Sequence, residues 1–259
     1  MDKPYKYSGM EAASYDLVDE LSDFDDYPFY RFLIEASPGS VLDLGCGTGR
    51  ILVGLAEEGI DVTGLDVSRE MLDICEEKLA ALGREAPLVY GDIRSFDLSE
   101  TFDTILIPGF TIQLLLSSED LDACLKSCTR HLKPGGQLVV STYLPWEMLE
   151  SGLKRKPLEK KRESDRDTSG ESFAAWQGWE IDRIEQRLQL SNRFQKLDSA
   201  GEVLSEENLT MTLCWHLPYD MQRLLQKHGL GDISLYGDFT FDPPEADTEA
   251  IVYVGRRPG

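Results

Sequence analysis

The stretch VLDLGCGTGR, residues 41–50, decides the fold. Val41 to Leu44 is an apolar run predicted as a buried strand, and Arg50 to Glu58 has the apolar spacing of a helix. The glycines between them allow a tight turn and let a ligand approach the backbone. The free N–H groups of the following helix would suit an anionic group. A G-x-G turn alone is weak evidence for a site, because ordinary turns also use glycine.

The rest of the chain repeats this alternation of strand and helix. Alternation of this kind predicts parallel strands joined by right-handed crossovers in an open, doubly wound sheet. Helices are predicted for residues 11–21, from Ser68, and for residues 121–132 and 218–228. Strands are predicted for residues 41–44, 60–65, 87–90, 104–107, 137–142, 233–236 and 250–254. The fold class is therefore α/β, with a mostly parallel seven-stranded sheet.

The alternation is interrupted between residues 154 and 217. Residues 154–170 hold seven basic and four acidic side chains, which predicts a flexible linker. Three strands with alternating polarity follow in residues 171–217 and predict an inserted antiparallel β-meander. The predicted organisation is one ligand-binding domain, 1–150 and 218–259, with a meander that serves as a lid or a dimer interface.

Acidic residues end the first three predicted strands or follow them closely. Asp43, Asp66 and Asp92 would therefore converge on one crevice at the carboxyl edge of the sheet. An acid at the second of these positions accepts hydrogen bonds from ribose hydroxyls in sheets of this kind. The dinucleotide fingerprint G-x-G-x-x-G is absent, because Arg50 stands where its last glycine would be. A small zwitterionic ligand is favoured over a dinucleotide, which disfavours an NAD-dependent enzyme.

Five segments together resemble the class I S-adenosylmethionine-dependent methyltransferases of the small-molecule type. The resemblance covers residues ~36–143 and, more weakly, ~218–256, and it implies a Rossmann-like sheet with S-adenosyl-L-methionine as cofactor. The segments are VLDLGCGTGR (41–50), GLDVSREML (64–72), GDIRSF (91–96), FDTILIPGF (102–110) and LKPGGQLVVS (132–141).

The resemblance also implies roles for single residues in cofactor binding. Asp43 would hold the ammonium group, and Asp66 both ribose hydroxyls. Asp92 would accept a hydrogen bond from the adenine amino group. The other residues implied are Gly45, Cys46 and Gly47 near the methionine portion, Val67, Met71 and Ile93 around the adenine, and Pro108 and Gly109 beside the sulfonium. The segment from Ala12 to Asp16 resembles a lid, with Tyr15 as its candidate contact.

Residues on the acceptor side are harder to predict. Methyl transfer needs alignment and exclusion of water more than it needs a general base. His216, after the meander, is the candidate base, although a structural histidine is the more common outcome. Aromatic side chains are candidates for a substrate pocket, although aromatic residues are more often part of a core: Tyr5, Tyr7, Tyr30, Trp176 and Trp179.

Composition narrows the partners and the compartment. The chain of 259 residues has 26 basic and 47 acidic side chains and a net charge of −21, which opposes nucleic acids and anionic lipid surfaces. Residues 107–110, Ile-Pro-Gly-Phe, lack the polar set expected for methylation of a nucleobase. Five cysteines without a C-x-x-C pair predict no disulfide framework and no metal site. No segment predicts a signal peptide or a membrane span, so a cytoplasmic location is expected.

Two classes of function remain open from the sequence. The first is an enzyme that methylates a small molecule by in-line displacement. The second is a catalytically silent cofactor binder, or a partner subunit, on the same fold. Cofactor affinity alone would not distinguish them.

Overall fold

The computed structural model describes residues 3–18 and 25–259. The first helix, α1, spans Gly9–Val18, so the final part of the helix predicted for 11–21 lies outside the described residues. No helix in the described ranges is long and apolar enough to cross a membrane.

Seven helices and eleven strands follow one another in the described residues. The helices after α1 are α2 (Tyr27–Ala36), α3 (Leu52–Glu57), α4 (Arg69–Ala81), α5 (Ser118–His131), α6 (Trp146–Glu150) and α7 (Pro218–Lys227). The strands are β1 (Val41–Leu44), β2 (Val62–Asp66), β3 (Leu88–Tyr90), β4 (Phe102–Ile107), β5 (Leu132–Tyr143), β6 (Arg155–Glu163), β7 (Ser172–Asp182), β8 (Arg187–Leu197), β9 (Val203–Cys214), β10 (Gly231–Gly237) and β11 (Ala250–Arg256).

Seven of these strands form the main sheet in the order β10-β11-β5-β4-β1-β2-β3. The five strands from β1 to β5 are parallel, and β11 runs antiparallel to both β5 and β10. The chain order reverses between β1 and β4, and open sheets of this type bind ligands at such a switch point. The predicted fold class is confirmed.

Helices cover both faces of the main sheet because its central strands are apolar on both sides. Every residue of β1 and β2 is buried, as expected for parallel strands between two helical layers. Apolar side chains of α2, α3 and α4 pack on one face, and those of α5 and α7 pack on the other. This packing holds the carboxyl ends of the strands in a rigid frame.

A second, four-stranded antiparallel sheet has the order β6-β7-β8-β9. Three of its strands lie inside the predicted meander. The prediction of a flexible linker at 154–170 is wrong, because Arg155–Glu163 is β6 and pairs with β7 from Glu180 to Ala174. Backbone hydrogen bonds hold this strand, and its charged side chains remain mostly exposed at the edge of the sheet. Charged residues are common on edge strands because they oppose unwanted pairing.

The second sheet lies beside the carboxyl edge of the main sheet. The guanidinium of Arg187 on β8 donates to the carbonyl of Leu116, and the side-chain amide of Gln113 donates to the carbonyl of Cys214 on β9. Gln113 lies in a short 3-10 helix, Thr111–Leu114, that follows β4. Val18 of α1 packs on Ala175 and Phe194 of the second sheet. The inserted sheet and α1 therefore stand next to the switch point.

Candidate functional site

One cavity at the carboxyl edge of the main sheet contains every cofactor residue predicted from the sequence. Its lining residues include the twelve predicted ones: Tyr15, Asp43, Gly45, Cys46, Gly47, Asp66, Val67, Met71, Asp92, Ile93, Pro108 and Gly109. The parallel strands bring these residues together, because the loops after β1, β2, β3 and β4 all open at the same edge.

The glycine loop after β1 forms the floor of the cavity in a backbone conformation that side chains disfavour. Gly45 has φ +73°, and a Cβ there would lie 2.5 Å from Cγ2 of Thr111. Gly47 has φ +55°, with Met71 3.4 Å from the position of its absent Cβ. Glycine adopts such positive φ values without steric cost. The loop can therefore bring its backbone close to a ligand.

Asp66 fixes the geometry between the glycine loop and the end of β2. Its carboxylate accepts a hydrogen bond of 2.9 Å from the Gly47 amide and one of 2.7 Å from the Ser68 amide. The side chain is 8% exposed, and burial raises the pKa of Asp66 above its usual value although these amide bonds oppose the shift. Each oxygen keeps a further lone pair for hydroxyl donors from a ligand.

Asp43, at the end of β1, lines the cavity with a carboxylate whose oxygens make no well-formed hydrogen bond, although the Leu52 amide is close enough to oppose the rise in its pKa slightly. It is 1% exposed, and burial raises its pKa to about 7. The positive charge of Arg50 opposes this shift, while the negative charges of Asp66 and Asp26 add to it. A buried carboxylate without a partner is costly in the free protein. A cationic donor in the cavity would remove that cost, so the site fits an ammonium group.

Arg50 is a cavity residue that the sequence analysis used only to exclude a dinucleotide. Its guanidinium pairs with Asp26, which is 1% exposed and lies just before α2. A Cβ on Gly109 would lie 3.5 Å from the guanidinium. Asp43 and Arg50 thus place opposite charges in one cavity, as a zwitterionic amino-acid group requires. The position directly after the glycines could have indicated this role.

Asp92, after β3, is held by a buried network that the sequence analysis also missed. The Arg94 guanidinium lies 2.6 Å from Asp92 and 3.1 Å from Asp120, and Arg94 is only 6% exposed. Burial raises the pKa of Asp92, but hydrogen bonds and the positive charge of Arg94 outweigh it and hold the pKa below its usual value. The carboxylate therefore stays ionised as an acceptor near neutral pH.

Tyrosines from the N-terminal segment, residues 3–18, cover the cavity. Tyr5, Tyr7 and Tyr15 line it, and their rings meet in T-shaped contacts with centroids 5.3 and 5.4 Å apart. Ser68 donates a hydrogen bond of 2.6 Å to the Tyr7 carbonyl, and Glu70 accepts one of 2.6 Å from the Gly9 amide. These bonds hold the segment over the cavity.

The other predicted acceptor-side residues are placed differently. His216 is not among the cavity residues; it lies between β9 and α7, where its Nε2 is buried without a partner and burial lowers its pKa. Tyr30 is fully buried in the core cluster beneath α2. Trp176 carries Lys160 over its ring at 5.5 Å, while Trp179 packs against the main core.

Comparison with known proteins identifies the type of domain in which the site lies. Residues 41–136 match the family model described as "Methyltransferase domain". Over residues 41–136 the match confirms the predicted resemblance to the class I S-adenosylmethionine-dependent methyltransferases, whose cofactor is S-adenosyl-L-methionine. The orphaned carboxylate of Asp43, the guanidinium of Arg50 and the glycine floor fit that cofactor.

Similar proteins include several bacterial methyltransferases. The chain is 40% identical over 113 residues to a cypemycin N-terminal methyltransferase of a Streptomyces species, covering 44% of this chain and 45% of that protein. It is 36% identical over 131 residues to a dTDP-3-amino-3,4,6-trideoxy-alpha-D-glucopyranose N,N-dimethyltransferase of Streptomyces venezuelae, covering 51% of each. Matches of this kind span about half the length of these curated relatives.

The whole fold has solved counterparts. A crystal structure of an S-adenosylmethionine-dependent methyltransferase from Clostridium acetobutylicum superimposes with a TM-score of 0.79 at 20% identity, covering 96% of this chain and 98% of that one. At this identity the likeness establishes the fold alone.

Proposed function

We propose that this protein transfers a methyl group from S-adenosylmethionine to a small-molecule acceptor. The observation that carries the proposal is the pairing of opposite charges in the cavity. Asp43 offers two unbonded carboxylate oxygens to an ammonium group, and Arg50 offers a guanidinium to a carboxylate. Asp66 and Asp92 stand further along the same edge, where a ribose and an adenine would follow.

In this proposal the chain binds, orients and excludes water. The cofactor supplies an activated methyl group on a positively charged sulfur. Asp43 and Arg50 hold the two charged ends of its methionine portion, and Asp66 fixes the ribose. The N-terminal segment covers the cavity. Pro108 and Gly109 line the side of the cavity from which an acceptor must approach. Alignment of the two reactants supplies most of the rate enhancement in such a displacement.

Two observations support the proposed class of acceptor: the net charge of the chain and the names of similar proteins. A net charge of −21 disfavours nucleic acids. The matched proteins are named for methyl transfer to a peptide N-terminus and to amino sugars, among other acceptors. These names support a small acceptor for this chain rather than a polynucleotide.

The second sheet is proposed as the wall that limits the size of the acceptor. The Tyr7 hydroxyl lies 3.7 Å from the sulfur of Met211 on β9, so the sheet touches a residue that lines the cavity. A dimer formed through the same sheet stays a prediction. A cytoplasmic location is also proposed, because all five cysteines are free thiols and four of them are buried.

The test is transfer of labelled methyl groups to size-fractionated extract of the source cells, before and after nuclease treatment. Label is expected in small, nuclease-resistant material. Asp66→Asn should lose transfer, whereas Asp73→Asn, which removes the same charge from the exposed face of α4, should retain it. Label in nuclease-sensitive or protein-sized material would overturn the proposed acceptor class. Cofactor binding without transfer to any fraction would favour the silent-binder alternative.

A further inference from the structure

A buried carboxylate stands directly behind the tyrosine wall of the cavity. Glu11, in the first turn of α1, is 2% exposed. The Tyr5 hydroxyl donates to it, at 2.6 Å from one carboxylate oxygen and 2.7 Å from the other. Tyr5 lines the cavity and Glu11 does not. The phenol therefore connects the cavity to a carboxylate that is shielded from water.

We propose that Tyr5 and Glu11 accept a proton from the acceptor substrate, and that this substrate is an amine that binds as its ammonium ion. The proposal rests on the proposed methyl transfer. It adds the acceptor atom, a nitrogen, and a route for the proton that this nitrogen must lose.

The charges around the cavity favour a cation. Its three lining carboxylates, on Asp43, Asp66 and Asp92, and the Arg50 guanidinium are assigned to the cofactor, and Glu11 adds a further carboxylate directly behind the tyrosine wall. Phenol rings attract cations through their electron-rich faces. A second positive charge beside a sulfonium needs compensation nearby, and the Glu11 carboxylate supplies it.

The proton balance is simple. The ammonium nitrogen gives one proton to the Tyr5 oxygen as the phenol proton passes to Glu11, so Tyr5 remains neutral and Glu11 becomes a carboxylic acid. The freed lone pair forms the new C–N bond while the C–S bond of the sulfonium breaks, and its electron pair remains on sulfur. A sulfonium beside the ammonium lowers the proton affinity of that nitrogen, which assists the first step. Glu11 returns its proton to water after release of the product.

Three charged side chains on the elements next to α1 make bonds of their own. On α4, Glu70 accepts from the Gly9 amide and Lys78 pairs with Asp16 at 2.6 Å. On β9, Glu207 accepts from the Met10 amide at 2.7 Å. Glu207 thus holds the same N-terminal segment as Glu11 does, but from β9. This makes Glu207→Gln a matched control for a purely structural tie.

The first test asks which fraction of a small-molecule extract accepts the labelled methyl group after cation-exchange separation at pH 6. Label in the retained, cationic fraction is the expected result. Label in the neutral or anionic fractions would overturn the inference while leaving the proposed methyl transfer intact. Label in no fraction would mean that the proposed function fails, and the inference with it.

The second test measures kcat/KM with the labelled fraction from pH 6 to pH 10. Glu11→Gln and Tyr5→Phe should each lose at least about 100-fold at pH 7, the usual contribution of a proton acceptor. The loss should shrink to within about tenfold at pH 10, where the amine enters already neutral. Glu207→Gln should stay within about twofold at every pH. Calorimetry should give S-adenosylhomocysteine affinities within about threefold of wild type for all three variants.

Two results would identify a structural role instead. One is an equal loss for Glu11→Gln at all pH values. The other is a loss for Glu207→Gln as large as that for Glu11→Gln. A fall in S-adenosylhomocysteine affinity that accounts for the loss of activity would likewise overturn the inference.

Discussion

Replacement of Asp43 by asparagine should stabilise the free protein and weaken cofactor binding. Burial raises the pKa of this carboxyl from 3.8 to about 7. The shift of about three units corresponds to about 4 kcal/mol, at roughly 1.4 kcal/mol per unit. Asparagine has the same shape without the charge, so the variant should unfold less readily at pH 8 by up to about this amount.

The sign of the pH dependence follows from the raised pKa. Between pH 3.8 and about 7 the unfolded chain releases the Asp43 proton while the folded chain keeps it. The wild-type protein therefore loses stability from Asp43 as the pH rises through this window, and the loss is complete above it. Asp43→Asn removes this contribution, so its advantage in stability should grow from acid to neutral pH and then level off.

Cofactor binding should change in the opposite direction. Loss of a charged hydrogen bond to an ammonium group costs about 1.5–3 kcal/mol, or about 10- to 150-fold in affinity. Wild-type affinity should also fall below about pH 7, where the carboxyl of the free protein is protonated, while the affinity of Asp43→Asn should be flat there.

Thermal unfolding without ligand and calorimetry with S-adenosylhomocysteine, from pH 6 to pH 8.5, measure both effects. Asp73→Asn serves as the control for removal of one negative charge from an exposed position. A less stable Asp43→Asn protein with unchanged affinity for S-adenosylhomocysteine would refute the assignment of Asp43 to the ammonium group.

Other substitutions test the rest of the site. Gly45→Ala should abolish S-adenosylhomocysteine binding in calorimetry because its Cβ would meet Thr111. Gly59→Ala serves as the control, since Gly59 has φ +81° with open space around it, and it should cost only about 1–2 kcal/mol of stability in denaturant titrations. Asp66→Asn should weaken adenosine about 10- to 100-fold in a competition assay but 2′,3′-dideoxyadenosine much less, and equal losses would exclude a ribose contact. Arg94→Met should destabilise the fold by about 3–5 kcal/mol at pH 7, because it leaves Asp92 and Asp120 without their partner. Since Arg94 holds the pKa of Asp92 below its usual 3.8, the wild-type protein should lose its share of this stability in unfolding curves as the pH falls below that value. His216→Gln should keep kcat within about threefold, and a much larger loss would place His216 in the reaction.

The main sheet and the glycine loop that lines the cavity were predictable because they depend on local sequence. Apolar runs that end in Gly45 or Asp66 indicate where strands stop, and parallel pairing then brings their ends together. The strand β6 was not predictable from composition, since its charged side chains are exposed and its backbone ladder to β7 holds it in place.

The missed site residues depend on contacts between distant segments. Arg50 is adjacent to the glycines in sequence, but its orientation depends on Asp26, 24 residues earlier, before a helix that the apolar periodicity did not reveal. Glu11 looked like one polar position on an amphipathic helix. Its burial arises only when Tyr5 and the second sheet close around α1.

A crystal structure of the chain with S-adenosylhomocysteine tests the cofactor site most directly. The expected electron density has the ammonium group within hydrogen-bond distance of Asp43 and the carboxylate at Arg50. The ribose hydroxyls should contact Asp66, and the adenine amino group should contact Asp92. Density for the ligand in the reverse orientation, or outside the cavity between the glycine loop and the N-terminal tyrosines, would contradict the proposed site.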